Sequence, residues 1–396
     1  MKEPDAWGRN RRCVVKVRPF ALERFFARHE FTARYLLCAS DPETLPLRDL
    51  LELEPGSAER LADLRLGYTD SRGGEDLRRA VGSLYANADP DRILVHGGAE
   101  EAIFAFMNAA IEAGDHVIVQ FPCYQSHYSV AEALGADVTR WHCDLAREGA
   151  PDVEELERLV RPATRAIVLT TPNNPTGYPF DRAEIEAVVG LARRHGLWLF
   201  SDEVYRGSER EAQRAPAASD LYERAVSLGA LSKAYGLAGL RIGWIATQDR
   251  ELYAAIASVK DYLTICNSAP GEFLAGVALR HGDSLTGRVR RIEAGNLDRL
   301  DEFFARWSAL FTWRRPRAGT TAFPRYLAGS SEAFCERLAA EAGVLLLPSS
   351  AFDCGDERFR IGYGRADLPQ ALEAFDRFLD RDRPSPAPAA PGSRET

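Results

Sequence analysis

Short apolar runs alternate with helical segments from about residue 60 to residue 250, and this alternation constrains the fold more than any other feature. Strands that are covered on both faces read as continuous apolar runs, and helices supply the two covering layers. The pattern therefore predicts an α/β fold with a mostly parallel seven-stranded sheet sandwiched by helices. The predicted strands are Ile93–His96, Val117–Gln120, Asp137–Trp141, Ala166–Thr171, Leu197–Ser201, Ala225–Leu228 and Ile242–Thr247.

The two ends of the chain predict a smaller α+β domain. An amphipathic segment runs from Phe20 to Phe31, Tyr35–Ala39 is a short strand-like run, and a long helix is predicted over 288–309. The Pro-rich tail at 383–396 is of low complexity and cannot pack a core, so we expect it to be disordered. The predicted domains are 19–59 (N-terminal part of the small domain), 60–275 (large domain) and 276–382 (C-terminal small domain).

Charge and cysteine content argue against several classes of protein. The 396 residues carry a net charge of −8 without a long basic run, so neither nucleic acid nor an anionic membrane is expected as a partner. No apolar run approaches the roughly 18 residues of a spanning helix, and the first residues lack the apolar core of a signal peptide. Seven scattered cysteines without a Cys-x-x-Cys pair favour reduced thiols, no metal site and a cytoplasmic location.

Lys233 is the residue that most constrains the chemistry. It follows an apolar run that begins at Ala225, and a lysine carried by a core strand needs a partner because burying an ammonium is costly. An amine nucleophile forms a Schiff base with an aldehyde, and the guanidinium of Arg241, eight residues later, suits a phosphate. An aldehyde and a phosphate on one small molecule suggest pyridoxal phosphate (PLP). The alternative is a surface lysine in a Gly-rich turn.

Other loops that follow predicted strands supply residues suited to the same cofactor. Gly98 and Ala99 open a helix whose N–H groups could approach a phosphate, and Tyr124 could lie flat on a heterocyclic ring. Asn174, held between two prolines, could donate to a phenolate oxygen, and Asp202 could keep a pyridine nitrogen protonated. Each also has a structural interpretation. Gly98 and Ala99 could form a plain turn, Tyr124 could be a core tyrosine, Asn174 could belong to a tight turn, and Asp202 could be a helix N-cap.

These loops together resemble the fold type I, class I/II PLP-dependent enzymes of the aspartate aminotransferase superfamily over about residues 30–380. The matching motifs are Asn174-Pro-Thr-Gly177, Asp202-x-x-Tyr205, Ser232-Lys233 with Arg241 eight residues on, Gly67-Tyr68 before Gly73-Gly74, and Phe359-Arg360-Ile361-Gly362. The resemblance implies the aminotransferase fold, PLP as cofactor, an amino-acid substrate and a homodimer with shared active sites, the large domain being the one that binds PLP.

The resemblance also implies a role for each matching residue. Lys233 resembles the Schiff-base lysine and proton shuttle, and Arg360 resembles the arginine that clamps the substrate carboxylate. Tyr68 is similar to the tyrosine that reaches the phosphate of the neighbouring subunit. The implied catalytic residues are Lys233, Asp202 and Tyr205; the implied cofactor-binding residues are Lys233, Gly98, Ala99, Tyr124, Asn174, Asp202, Tyr205, Ser232, Arg241 and Tyr68; the implied substrate-binding residues are Arg360, Asn174 and Ser40.

One position departs from the family pattern, and one segment favours a subgroup. Ala230 stands where the family usually has a Ser or Thr that contacts the phosphate, so that contact is missing or is replaced, for instance by Ser232. The segment 31–43 together with the motif set resembles the capreomycidine synthase subgroup, which implies β-hydroxyarginine as substrate, loss of the β-hydroxyl and ring closure by the guanidine. A guanidinium needs an acidic or carbonyl-lined pocket. The candidates are Glu30, Asp41 and Glu43, although such charges also occur as solvated faces.

Two other functions are compatible with the motifs. An ordinary aminotransferase would use 2-oxoglutarate as acceptor and form glutamate. A non-catalytic aminotransferase-like regulator would require a basic helix-turn-helix domain before the sheet, and the roughly 60 residues that precede the sheet show no such pattern.

Overall fold

The central element of the computed structural model is a seven-stranded sheet with the strand order β1-β7-β6-β5-β4-β2-β3. The structure describes residues 17–147, 149–210 and 213–381, so the predicted disordered tail at 383–396 lies outside the described residues. The strands of this sheet are β1 (Ile93–His96), β2 (His116–Phe121), β3 (Asp137–His142), β4 (Thr164–Thr170), β5 (Trp198–Asp202), β6 (Ala225–Ala230) and β7 (Gly243–Thr247).

The predicted mostly parallel sheet is confirmed. Strands β2 to β6 pair in parallel, whereas β7 runs antiparallel to both of its neighbours, β1 and β6. Each predicted strand agrees with the structure to within two residues at either end. The agreement reflects the fully buried residues of β1, β2, β5, β6 and β7, since a strand that is covered on both faces is a continuous apolar run.

Helices cover both faces of the sheet. One apolar cluster includes Phe106, Val119, Phe200 and Ile245 on one face, and a second includes Ile167 on the other. The helices are α1 (Ala21–His29), α2 (Leu47–Glu52), α3 (Ser57–Ala62), α4 (Glu75–Gly82), α5 (Ala99–Ala110), α6 (Ser126–Leu134), α7 (Val153–Leu159), α8 (Arg182–His195), α9 (Ala218–Leu221), α10 (Arg250–Lys260), α11 (Ala269–Arg280), α12 (Gly282–Arg306), α13 (Ser331–Ala342) and α14 (Leu368–Arg381).

The N-terminal segment packs against the C-terminal part of the chain. Leu22 and Phe25 of α1 share an apolar cluster with Leu345, Leu347 and Phe352. Two small sheets in this part have the orders β10-β8 and β11-β12-β9. Their strands are β8 (Phe311–Thr312), β9 (Thr321–Ala322), β10 (Arg325–Tyr326), β11 (Leu347–Pro348) and β12 (Phe359–Gly362).

Two sequence predictions in this part need correction. The predicted strand at 35–39 is reduced to a single bridge between Tyr35 and Val344, because the chain turns at once and Ala39 N–H donates to the Leu36 carbonyl. The long helix predicted over 288–309 begins earlier and ends at Arg306. The predicted domain bounds of 19–59, 60–275 and 276–382 stay predictions. In the described part of the chain, every helix is too short or too polar to cross a membrane.

Candidate active site

A cavity of about 300 Å³ lies at the carboxyl ends of the parallel strands, between the sheet and α1. Ligands of open α/β sheets bind at this edge because the loops that follow the strands converge there. Of the residues predicted for the site, the cavity brings together Ser40, Ala99, Tyr124, Asn174, Asp202, Tyr205, Ser232, Lys233, Arg241 and Arg360.

Two groups of residues form the walls. The strand-end side consists of residues that follow or end strands of the sheet: Ala99, Tyr124, Asn174, Asp202, Tyr205, Ser232, Lys233 and Arg241. The N-terminal side consists of residues of α1 and the loop after it: Leu22, Glu23, Phe26, Glu30, Ser40 and Asp41.

Lys233 reaches across the cavity from the strand-end side to the N-terminal side. Its Nζ donates a hydrogen bond to Ser40 Oγ at 2.9 Å and lies 6.0 Å from the ring centre of Tyr205. The Tyr205 hydroxyl is buried and has no hydrogen-bond partner among the described residues. A buried hydroxyl without a partner is costly, so the Tyr205 hydroxyl is suited to hydrogen bonding with a ligand beside Lys233.

Asp202 is held in place by a buried hydrogen-bonded chain. His127 Nε2 lies 3.0 Å from one carboxylate oxygen of Asp202, and the other oxygen accepts from the Val204 N–H at 3.1 Å. Thr170 Oγ1 lies 3.4 Å from the second ring nitrogen of His127. The carboxylate keeps further lone pairs for a donor in the cavity, since an ionised carboxylate can accept about four hydrogen bonds.

The turn from β1 into α5 is shaped to receive an anion. Gly98 has a φ of 104°, and a Cβ at this position would lie 2.5 Å from Arg241 Nη2. A Cβ at Gly243 would lie 2.9 Å from the Ala99 nitrogen. Glycine at position 98 therefore lets the turn approach the Arg241 guanidinium, and glycine at position 243 lets β7 approach the backbone of the same turn. The first N–H groups of α5, which have no acceptor within the helix, begin at this turn.

Arg360 lies on β12, in the C-terminal part of the chain, and its side chain is buried. Its Nε donates to the Cys38 carbonyl at 3.0 Å and its Nη1 donates to Asn174 Oδ1 at 3.3 Å. Burial lowers the pKa of Arg360 and raises the pKa of Cys38 to about 12, so the thiol stays neutral beside the guanidinium. Arg360 thus offers a desolvated cation suited to a carboxylate.

Three predicted residues do not line the cavity. Gly98 lies beside it, in the turn directly before Ala99. Tyr68 is 93% exposed and lies outside it. The carboxylate of Glu43 turns away and accepts from the Ala366 N–H at 2.9 Å, so the prediction that Glu43 belongs to the pocket is wrong. Ala230 is buried within the apolar cluster that covers one face of the sheet, whereas Ser232 lines the cavity.

Sequence reasoning missed four polar residues of the site. Glu23, Glu100 and Thr170 line the cavity, and His127 contacts Asp202. His127 lies in the first turn of α6, three residues after Tyr124, and that spacing after a strand end is the signal that could have found it. Glu23 has no such signal, because a charged residue on a helix is more often solvated.

Comparison with known proteins identifies the family. A profile of the family described as aminotransferase class I and II matches residues 35–375. The chain belongs to this family. Capreomycidine synthase of Streptomyces vinaceus is 32% identical over 368 residues, which cover 90% of this chain and 93% of that protein.

Solved structures of the aminotransferase class I and II fold superpose closely. A PLP-dependent aminotransferase from Streptococcus suis 89-1591 gives a TM-score of 0.89 at 32% identity and covers 94% of this chain and 100% of that chain. The PLP-dependent cyclase OrfR gives 0.86 at 30% identity, with 92% and 98% covered. The protein is therefore a PLP-dependent enzyme with the fold type I architecture.

The cavity fits PLP by its own chemistry. The phosphate suits the Gly98 turn and Arg241, and the aldehyde suits the amine of Lys233. The Tyr205 hydroxyl, which has no hydrogen-bond partner in the part of the chain that the structure describes, suits the phenolic oxygen of the ring. The Asp202 carboxylate, which can accept further hydrogen bonds, suits the pyridine nitrogen.

Proposed function

We propose that this enzyme removes water from β-hydroxyarginine and closes the guanidine onto the β-carbon, which forms a six-membered cyclic arginine derivative of the kind used in antibiotic biosynthesis. The proposal rests on a single observation: the carboxylates of Glu23 in α1 and of Glu30 at its C-terminal cap line the cavity and have no cationic partner among the residues that the structure describes. The similarity of this chain to a capreomycidine synthase and to a PLP-dependent cyclase supports the same reaction.

Of the carboxylates that line the cavity, Glu23 and Glu30 are the ones available to bind a substrate. The other carboxylates each have a partner: Asp41 with Arg365 at 2.6 Å, Asp202 with His127 at 3.0 Å, and Glu100 with Ser126 at 3.1 Å. In the described part of the chain, the carboxylates of Glu23 and Glu30 make neither an ion pair nor a hydrogen bond. A planar guanidinium pairs with a carboxylate through two parallel hydrogen bonds, so a substrate with this group would satisfy them.

The position of Glu30 strengthens this argument. Glu23 and Glu30 are seven residues apart, two helical turns, and therefore lie on the same face of α1. Glu30 is the C-terminal capping residue of that helix, where the helix dipole disfavours a negative charge. A cationic ligand would relieve this repulsion. The N-terminal side of the cavity is therefore suited to a positively charged side chain.

The residues of the strand-end side would hold the cofactor and move protons. PLP, when bound, draws electrons from the α-carbon of an amino acid so that its proton can leave. Lys233 would accept this proton on Nζ and would donate a proton to the α-carbon at the end. Asp202, fixed by His127, would hold the pyridine nitrogen protonated, while Asn174 and Tyr205 would donate to the phenolic oxygen.

Further residues would orient the two molecules. Tyr124 would stack on the ring, and Gly98, Ala99, Ser232 and Arg241 would bind the phosphate. Arg360 would bind the substrate α-carboxylate and fix the β-carbon relative to the guanidine held by α1.

We also propose that the enzyme is a homodimer in which Tyr68 reaches the phosphate in the partner's site. Exposed apolar side chains support this arrangement, because a large apolar surface is unfavourable in water. Leu66 is 81% exposed, Tyr68 93% and Tyr262 90%, and Ile265 lies close to Tyr262 in sequence and is 54% exposed.

Incubation with β-hydroxyarginine and PLP, with and without 2-oxoglutarate, tests the reaction. The proposal predicts a product lighter by one water in both mixtures, measured by mass spectrometry. An ordinary aminotransferase would instead require 2-oxoglutarate and form glutamate. That result would replace the cyclase with the second candidate, which the similarity to the Streptococcus suis aminotransferase supports.

A further inference from the structure

In the hydrogen bond between Lys233 and Ser40, Lys233 is the donor, so the hydroxyl hydrogen of Ser40 is available to another acceptor. A lysine ammonium carries only donors, so Ser40 Oγ accepts from Nζ at 2.9 Å and its own hydroxyl hydrogen is free. This hydrogen has no acceptor among the described residues, and Ser40 faces the cavity. Of the side chains that the structure describes, Ser40 is the one within hydrogen-bonding distance of Lys233 Nζ.

The loop that carries Ser40 is held firmly against the C-terminal part of the chain. The Ser40 carbonyl accepts from Thr320 Oγ1 at 2.6 Å, and the next residue, Asp41, is paired with Arg365. A Cβ at Gly362 would overlap the Ala39 carbonyl oxygen, so the backbones of the loop and of β12 are in direct contact. These contacts hold the backbone that carries Ser40, and Lys233 Nζ contacts its hydroxyl, so Ser40 has the defined position that proton transfer requires.

We propose that Ser40 is a catalytic residue that passes a proton from Lys233 to the departing β-hydroxyl of the substrate; this rests on the proposed dehydration. Lys233 Nζ takes the α-proton, and the carbon–oxygen bond at the β-carbon then breaks with both electrons going to oxygen. Hydroxide is a poor leaving group, so the oxygen takes the Ser40 hydroxyl proton while Ser40 takes a proton from the Nζ ammonium. Water leaves, Ser40 ends as it began, and Lys233 is again a neutral amine. On ring closure the guanidine nitrogen releases a proton as it bonds to the β-carbon, and Nζ takes this proton and delivers it to the α-carbon.

The leaving group provides a test that separates this role from simple positioning. Chloride departs without a proton, so elimination from β-chloroalanine needs no relay. We expect Ser40→Ala to lose water from β-hydroxyarginine about 100-fold more slowly than wild type. For the same variant, the rate of chloride release from β-chloroalanine should stay within about threefold of wild type. The rate at which the α-proton of β-hydroxyarginine exchanges in deuterium oxide should stay within the same range. Ser40→Thr, which keeps the hydroxyl, should restore most of the water loss.

Two controls show whether Ser40→Ala still folds and binds PLP. Absorbance titration with PLP should give a Kd for Ser40→Ala close to that of wild type, and thermal unfolding should be unchanged. Equal losses with chloride and hydroxyl leaving groups, or no loss with either, would overturn the relay. A wild-type enzyme that releases chloride but removes no water from β-hydroxyarginine would instead refute the proposed function, and the relay with it.

Discussion

The two sides of the cavity differ in how the chain builds them. The strand-end side gathers residues from the ends of β1, β2, β4, β5 and β6, where the parallel sheet brings the loops to one edge. The N-terminal side is a short helix and a loop that depend on distant partners, such as Gln125, whose side chain accepts from Ala21 N–H and donates to the Pro19 carbonyl. The first arrangement suits chemistry shared by a family, and the second suits the choice of substrate.

The largest expected effect is on the strand-end side. Lys233→Ala should reduce turnover by about 10⁴-fold, because the proposed mechanism makes Lys233 both the amine nucleophile and the general base. Binding of β-hydroxyarginine, measured by calorimetry with PLP present, should persist because Glu23, Glu30 and Arg360 are untouched. Borohydride treatment of the wild type followed by peptide mapping should label Lys233 and leave Lys260 unmodified. Near-normal turnover, or an unlabelled Lys233, would remove this assignment.

Substitutions on the N-terminal side should change the KM for the substrate rather than the rate of the chemical step. Glu23→Gln and Glu30→Gln should each raise the KM for β-hydroxyarginine by about 10-fold to 100-fold, because a charge-assisted hydrogen bond contributes about 1.5–3 kcal/mol. Exchange of the α-proton of alanine, which lacks a guanidinium, should not change.

Glu43→Gln is the matched control for these variants. Glu43 was a candidate from the sequence, but its carboxylate faces Ala366 instead of the cavity, and glutamine can keep that hydrogen bond. Its KM should equal that of the wild type. If all three substitutions raised KM equally, the effect would be one of overall charge, and the distinction between the two sides would fail.

The smallest expected effect concerns Ala230. Restoring the family's hydroxyl with Ala230→Ser should strengthen PLP binding about threefold to tenfold, since a single hydrogen bond contributes about 0.5–1.5 kcal/mol. Absorbance titration measures the change, and the preference for β-hydroxyarginine over alanine should stay the same. Weaker binding would indicate that the buried site around Ala230 cannot accept the hydroxyl.

The same contrast explains how far sequence reasoning could go. Asn174, Asp202 and Lys233 were predictable because each follows an apolar strand, and strand ends of a parallel sheet meet at one edge. Glu23 was not predictable, because its place in the site depends on how α1 docks against the C-terminal part of the chain. The run at 35–39 had strand composition but pairs at one residue only, since tertiary contacts decide whether a short apolar run joins a sheet.

The fate of the α-nitrogen tests the proposed reaction most directly. Cyclisation keeps this nitrogen in the product, whereas transamination passes it to an acceptor. With β-hydroxyarginine labelled with ¹⁵N at the α-amino group, and with 2-oxoglutarate present, we expect all of the label in a cyclic product lighter by one water. Label in glutamate, with the arginine derivative recovered as a keto acid, would contradict the proposal.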